Sequence, residues 1–361
     1  MTLTSYLDVS PALAPVPSAR LAGRPEGGRR TSALVRGTGS IGARHLRVLE
    51  EMGVDDIFAL PVRPTASLAG RSDIPASVKL LTKYPETDMD VVIIATDTAR
   101  HVDDALEALE HSPKALLLEK PVSQDAASAR TLSAHPRAHT ISVSAPLRFH
   151  QGLAVLADLL PRMGQVTSAQ VRSQSWLPAW RPNRDYRDSY SARAAEGGAL
   201  RDLVHDIDYP VMLLGAPSSL RATLGHGVLG IEAEESADLL WDGHGAVHIR
   251  LDYVSPVKTR GIRISTTDGA LCWDVVQNEV AVEIATAAGI QRSSIRFPDD
   301  ASVDVALARQ TLAVLEEAGV SAGTLMARFV PAQLADGIRA VAICDAARAA
   351  HSSGGKEPIV W

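Results

Sequence analysis

With 361 residues, 46% hydrophobic and 22% charged, the chain holds enough core material for two ordinary globular domains. A net charge of −6 without a long basic block excludes nucleic acid as the main partner. No apolar run approaches the ~20 residues of a membrane span. Cys272 and Cys344 stand far apart, which excludes a disulfide framework or thiolate metal site and points to a reducing, cytoplasmic setting.

Residues 1–31 read as a disordered tail. Pro11, Pro15, Pro17 and Pro25 break every apolar run, and no secretory core or cleavage site is evident. Residues 32–145 then alternate strand and helix. Ala33-Leu34-Val35 is a strand leading into Gly37-Thr38-Gly39-Ser40-Ile41-Gly42, and a helix follows as far as Met52, stopped by Gly53. Between strand and helix, Gly-x-Gly-x-x-Gly signals a dinucleotide loop. Gly37 permits the tight turn, Gly39 clears the way for a pyrophosphate, and Gly42 lets helix and strand pack closely. The helix N-terminus then faces the phosphates.

Ile57–Leu60 reads as the second strand. An acid about 20 positions beyond the glycines would take the ribose 2′-hydroxyl of NAD. The sequence offers Pro61-Val62-Arg63-Pro64 there, and Arg63 suits a 2′-phosphate, which favours NADP over NAD. Met89–Thr96 is a continuous apolar strand of the buried parallel type; Asp97–His101 and a helix over 102–109 come next. Ala115–Leu118 is another such strand, ending in Glu119-Lys120-Pro121. A helix over 124–132 and a strand over 140–144 complete a doubly wound domain. Ligands in such sheets lie beyond the strands' carboxyl ends, so Ala95, Thr96, His101, Glu119, Lys120 and Pro121 join the glycine loop as cofactor-site candidates.

Residues 146–361 read as a second, substrate-binding and oligomerising domain. A helix over 152–160 precedes an extended segment over 165–176 and an aromatic–basic loop from Trp176 to Arg187. A single helix is expected over 197–214. From Ser219 to Ile295 the pattern is antiparallel. Val247, Ile249, Leu251 and Tyr253 alternate with polar residues, and Asp242-Gly243 and Asp268-Gly269 supply turns. Such a sheet keeps one face for the core and one for another surface, and a second subunit is the expected one. A helix over 331–350 closes the chain.

Three groups of residues can carry chemistry. Lys120, beside a nucleotide site, can bond a substrate hydroxyl or relay its proton, and a cationic nicotinamide nearby would lower its pKa; it can equally be a surface lysine. Asp202 and His205, three apart, share a helix face, and a carboxylate can orient a general acid–base histidine; a capping acid and a core histidine would look the same. Asp206 and Asp208 alongside admit a metal, yet a second histidine or an octahedral oxygen set is missing, so no metal is expected. In the aromatic–basic loop, Arg184 and Tyr186 suit a sugar, phosphate or carboxylate as well as they suit a solvated face.

Gly37–Gly42, Glu119-Lys120-Pro121, Gly197-Gly198, Asp202 and His205, in this order, make the chain resemble the glucose–fructose oxidoreductase / inositol dehydrogenase / MocA family over residues 32–358. The resemblance implies an α/β fold: an N-terminal Rossmann domain joined to an α/β domain with a large, open, mainly antiparallel sheet that often forms oligomer interfaces, here a homodimer or homotetramer. It also implies reversible hydride transfer between NAD(P) and a secondary alcohol of a sugar, nucleotide sugar, aminosugar or cyclitol. Lys120 becomes the catalytic lysine, with a cis Lys120–Pro121 bond as in many relatives. Asp202 and His205 become the substrate-binding, acid–base pair, with Arg148, Arg184 and Tyr186 for the rest of the substrate. The Asp–His spacing is three where many members have four, Ala95-Thr96-Asp97 replaces a frequent Ala-Thr-Pro, and Arg36 before the first glycine is unusual. Some relatives bind dinucleotide without catalysis and regulate transcription, so a sensor is the alternative.

Overall fold

The computed structural model describes residues 19–21, 29–63, 71–243, 245–320, 325 and 329–361; most of the expected tail lies outside the described residues. In chain order the first elements are β1 (Ser32–Arg36), α1 (Ser40–Met52), β2 (Asp56–Leu60), β3 (Lys79–Leu80), β4 (Val91–Ile94), α2 (His101–Glu110), β5 (Ala115–Leu118), α3 (Ala126–Ser133) and β6 (Ile141–Val143). Next come α4 (Gln151–Leu159), β7 (Val166–Trp176), α5 (Ala199–Asp202), α6 (His205–Leu214), β8 (Ser219–Gly225), β9 (Ser236–Gly243) and β10 (Gly245–Asp252). The chain ends with β11 (Val254–Thr266), β12 (Gly269–Asp274), β13 (Glu279–Thr286), β14 (Gly289–Arg296), α7 (Val303–Glu317), β15 (Ala332–Gln333), α8 (Leu334–Ser353) and β16 (Glu357–Pro358). Two compact units divide it. One combines the described residues up to Phe149 with those of Ser302–Ile338; the other combines the described residues of His150–Ala301 with Arg339–Trp361.

The first unit is a Rossmann-type sheet in the order β15-β6-β5-β4-β1-β2-β3. Its strands run parallel except β15, which pairs antiparallel with β6. β4 and β5 are buried along their whole length, which explains their unbroken apolar sequences: helices cover both faces of a parallel sheet. The return segment belongs to this core. Gln310 of α7 is fully buried, accepts the Ala145 N–H at 2.7 Å and donates to the Ser144 hydroxyl at 3.3 Å.

The second unit is a nine-stranded sheet in the order β14-β13-β12-β11-β7-β10-β9-β8-β16. It is antiparallel except where β10 lies parallel to β7. Val247, Ile249 and Leu251 face the core, as their alternation requires. Fully buried Trp273 anchors that core, with the Tyr209 ring edge-on at 5.3 Å.

The single helix expected over 197–214 is instead two. α5 ends at Asp202, and α6 begins at His205. At the junction the Asp206 and Ile207 N–H groups bond back to Leu203 and Val204, three residues rather than four, a 3₁₀-type tightening that interrupts the α-helical ladder. Asp206 is then buried completely and gripped by the Arg260 guanidinium, with contacts of 3.0 and 2.7 Å. Both oxygens of the acid considered above for a metal thus serve an ion pair.

Candidate cofactor and active site

The glycine loop leaves β1 at Arg36 and enters α1 at Ser40. Gly37 has φ +97°, and a Cβ there would lie 2.5 Å from the Ala95 carbonyl oxygen; both facts demand glycine. A Cβ on Gly42 would strike the Gly37 carbonyl oxygen, whereas one on Gly39 would meet nothing within 4 Å. The three glycines therefore differ in kind: two make the turn and its packing possible, and the middle one opens onto empty space. α1 starts from Gly39 with no side-chain cap and no acid in its first turn. Its uncapped N–H groups and positive dipole end suit a pyrophosphate. The buried Thr96 hydroxyl, at the carboxyl end of β4, has no partner among the described residues, a second sign of room for a polar ligand on this edge. These residues fit a dinucleotide.

Around the loop, Arg63 is exposed in the bend after β2. Arg36 turns to Asp104 at 3.2 Å and donates to the Pro61 carbonyl at 3.2 Å. Arg71 donates to the Thr38 carbonyl at 2.5 Å.

Along the ends of β4 and β5 the remaining cofactor candidates are tied together. The buried His101 ring bridges two carbonyls, with Nδ1 2.7 Å from the Pro121 oxygen and Nε2 3.1 Å from that of Thr96; burial pushes its pKa down against the pull of those carbonyls. Glu119 is buried, and burial would raise its pKa. The His45 ring at 2.7 Å, the Ser144 hydroxyl and the Lys120 charge overcome this and bring it down to about 2. Glu119 is thus ionised at any physiological pH, and its Oε2 accepts the Lys120 N–H at 3.2 Å. The Lys120–Pro121 peptide bond is cis, as the resemblance implied. Lys120 consequently leaves a backbone held from both sides, by Glu119 before it and by His101 on Pro121 after it.

Asp202 and His205 lie in the other unit, where Asp202 is the centre of a buried cluster. The Tyr253 hydroxyl donates to its Oδ2 at 2.6 Å. The Asp202 charge, burial and a hydrogen bond to Asp202 push the Tyr190 pKa well up, while burial followed by the Asp202 charge does the same to Tyr253. Both phenols therefore remain protonated donors. The Gly197-Gly198 motif makes this possible: a Cβ on Gly197 would collide with the Tyr190 carbonyl, and one on Gly198 (φ +93°) with the Glu234 carboxylate. Glu234 is itself buried and held by Arg348 at 3.0 Å. The aromatic–basic loop covers the cluster, with Trp180 edge-on to Tyr253 at 5.3 Å and Arg181 5.8 Å from the Tyr190 ring.

The substrate candidates are engaged within the protein. Arg184 donates to the Asp188 carbonyl at 2.8 Å, and Tyr186 to the Leu229 carbonyl at 3.1 Å. Arg148 belongs to the other unit, buried and paired with Asp336 at 3.1 Å. Sequence reasoning passed over His45, Arg71, Tyr190 and Tyr253 as functional residues. His45 alone carried a signal, a polar residue in the apolar stripe of α1. We expect Tyr253→Phe to cost about 1–3 kcal/mol, because Asp202 loses a donor it cannot replace from solvent. Denaturant unfolding measures this; a loss below about 0.5 kcal/mol would show that the bond contributes little.

Residues 32–145 match an oxidoreductase family with an NAD-binding Rossmann fold. No curated protein matches the chain. Among solved structures, levoglucosan dehydrogenase in complex with NADH is similar at a TM-score of 0.76 and 16% identity, over 92% of this chain and 100% of that one. An oxidoreductase from Agrobacterium radiobacter, solved with NAD⁺, L-tartaric acid and magnesium, gives 0.74 and 15%, over 92% and 99%. A candidate myo-inositol dehydrogenase from Sinorhizobium meliloti 1021 gives 0.70 and 22%, over 91% and 100%. At these identities the likeness is one of fold, and it extends the Rossmann match across both units. The match of residues 32–145 is to the NAD-binding Rossmann domain of the glucose–fructose oxidoreductase / inositol dehydrogenase / MocA oxidoreductases, the family whose motifs the sequence resembles.

Proposed function

We propose that the protein interconverts a secondary alcohol and its ketone on a sugar, nucleotide sugar, aminosugar or cyclitol, using NADP or NAD. The observation that carries the reading is Lys120, the one ammonium in the Glu119-Lys120-Pro121 turn, held by His45-bound Glu119 and by His101 at the carboxyl edge of the parallel sheet. Ligands of open α/β sheets bind at that edge. The similarity to a levoglucosan dehydrogenase supports the sugar-like substrate class.

The glycine loop and the N-terminus of α1 hold the pyrophosphate, and Thr96 supplies a buried hydroxyl on the same edge. A dinucleotide held there would supply hydride transfer to or from the carbinol carbon. The Lys120 ammonium hydrogen-bonds the carbinol oxygen, stabilising the negative charge that grows on it as its proton leaves. His205 exchanges that proton, and Asp202, held by Tyr253, positions the hydroxyl and His205. The wide antiparallel sheet is the surface for a homodimer or homotetramer.

The test is incubation of the purified protein with NAD⁺ or NADP⁺ and a panel of sugars and cyclitols, following nicotinamide reduction. Turnover of a member of the panel is the expected result. Tight dinucleotide binding without turnover in either direction would favour the regulatory alternative.

A further inference from the structure

In the residues flanking the glycine loop, one side chain is placed where neither composition nor spacing predicts it. Arg71 lies past the end of β2 and reaches back 33 positions to the Thr38 carbonyl. Its guanidinium is fixed by a two-point contact with Asp73, Nε to Oδ1 at 2.8 Å and Nη2 to Oδ2 at 2.5 Å. Asp73 is fixed in turn, since Arg47 of α1 donates to its carbonyl at 3.1 Å. Three of the five N–H donors of Arg71 are used in this way; the other two meet no acceptor among the described residues.

The position of Thr38 decides what those donors face. Gly37 bonds the Leu60 carbonyl at the end of β2, so Thr38 stands between the β2 end and the open space at Gly39. The adenosine ribose of a dinucleotide lies at the end of β2, next to the pyrophosphate on the glycine loop. No carboxylate follows β2 directly: Pro61, Val62 and Arg63 occupy the turn. Arg36, the other arginine there, is held by Asp104 and the Pro61 carbonyl.

We propose that Arg71, pinned to the glycine loop through Thr38 and oriented by Asp73, reads the 2′-phosphate of NADP and gives the protein its preference between the two dinucleotides. A guanidinium held by a carboxylate along one edge keeps donors in fixed directions for a phosphate, and its fixed position reduces the ordering cost of binding. Arg63, exposed and solvated, adds charge without this constraint. The proposal rests on the dinucleotide reading of the loop.

Calorimetric titration with NADPH, NADH and the fragment 2′,5′-ADP separates the two ideas and needs no substrate. The wild type is expected to bind NADPH and 2′,5′-ADP more tightly than NADH. In Arg71→Met, NADPH and 2′,5′-ADP affinity should fall about tenfold or more while NADH affinity stays within about twofold. Arg71→Lys, which keeps the charge but loses the fork, should fall between; it serves alone if the methionine variant does not fold. Equal losses for NADPH and NADH would make Arg71 a scaffold for the loop, and unchanged NADPH affinity, or a wild type that prefers NADH, would likewise overturn the proposal. Absence of binding by all three ligands would overturn the dinucleotide reading itself.

Discussion

Replacement of Lys120 by Ala is expected to lower turnover about 10²-fold or more while dinucleotide binding persists. The expectation comes from how the lysine is presented. Its N–H is held by Glu119, whose carboxylate is kept ionised by His45, and the next residue, Pro121, has its carbonyl bound by His101. Removing the side chain leaves these three hydrogen bonds their partners, since each uses backbone or a neighbouring residue, and takes from Glu119 only the smallest of the influences that lower its pKa. A loss confined to kcat, with cofactor affinity unchanged, would mark an interaction made in the transition state. Turnover within about threefold of wild type would remove Lys120 from the chemistry.

The second large effect contrasts two glycines of one motif. Gly39→Ala should leave the free protein's stability within about 1 kcal/mol, because φ is −67° and the new methyl group enters open space. That space is where a pyrophosphate must come, so dinucleotide affinity should fall at least about 10²-fold. Gly42→Ala should damage the fold before any ligand is added. Its Cβ meets the Gly37 carbonyl oxygen, and backbone cannot move aside as a side chain can; overpacking of this kind costs about 1–3 kcal/mol. Thermal unfolding without ligand, followed by dinucleotide titration, resolves the two cases. A Gly39→Ala variant that binds as tightly as wild type would show that the open space serves something else.

Much of the first unit was readable because its signals are local. The unbroken apolar runs at β4 and β5 report burial on both faces, and the glycine spacing reports a turn with two forbidden Cβ positions. The alternation in β10 likewise announced a one-faced sheet. What could not be read depends on distant partners. Helical spacing pairs Asp202 with His205, but nothing local announces that its Oδ2 also accepts from Tyr253, 51 positions away on another element. The helix break at Leu203–Val204 has no proline or glycine to announce it. Arg71 and Thr38 meet across 33 residues. Periodicity carries no information about which polar side chains will meet once the strands are ordered.

The path of the chain has a practical consequence. The described residues of 302–338 return to the Rossmann unit after eight of the nine strands of the other unit's sheet, and 339–361 then leave it again with the ninth, β16. A gene fragment ending near 145 would contain every strand of the parallel sheet except β15, but it would lack the Gln310 carboxamide that receives the Ala145 N–H. Its β6 edge would lose the β15 cover, and a bare strand edge invites pairing with another molecule. Neither half of this protein can therefore be excised, or exchanged with a homologue's, by a single cut. A transplantable cofactor module would have to carry α7 and β15 on a re-engineered connection, which makes the chain a poor donor for domain shuffling despite its two compact bodies.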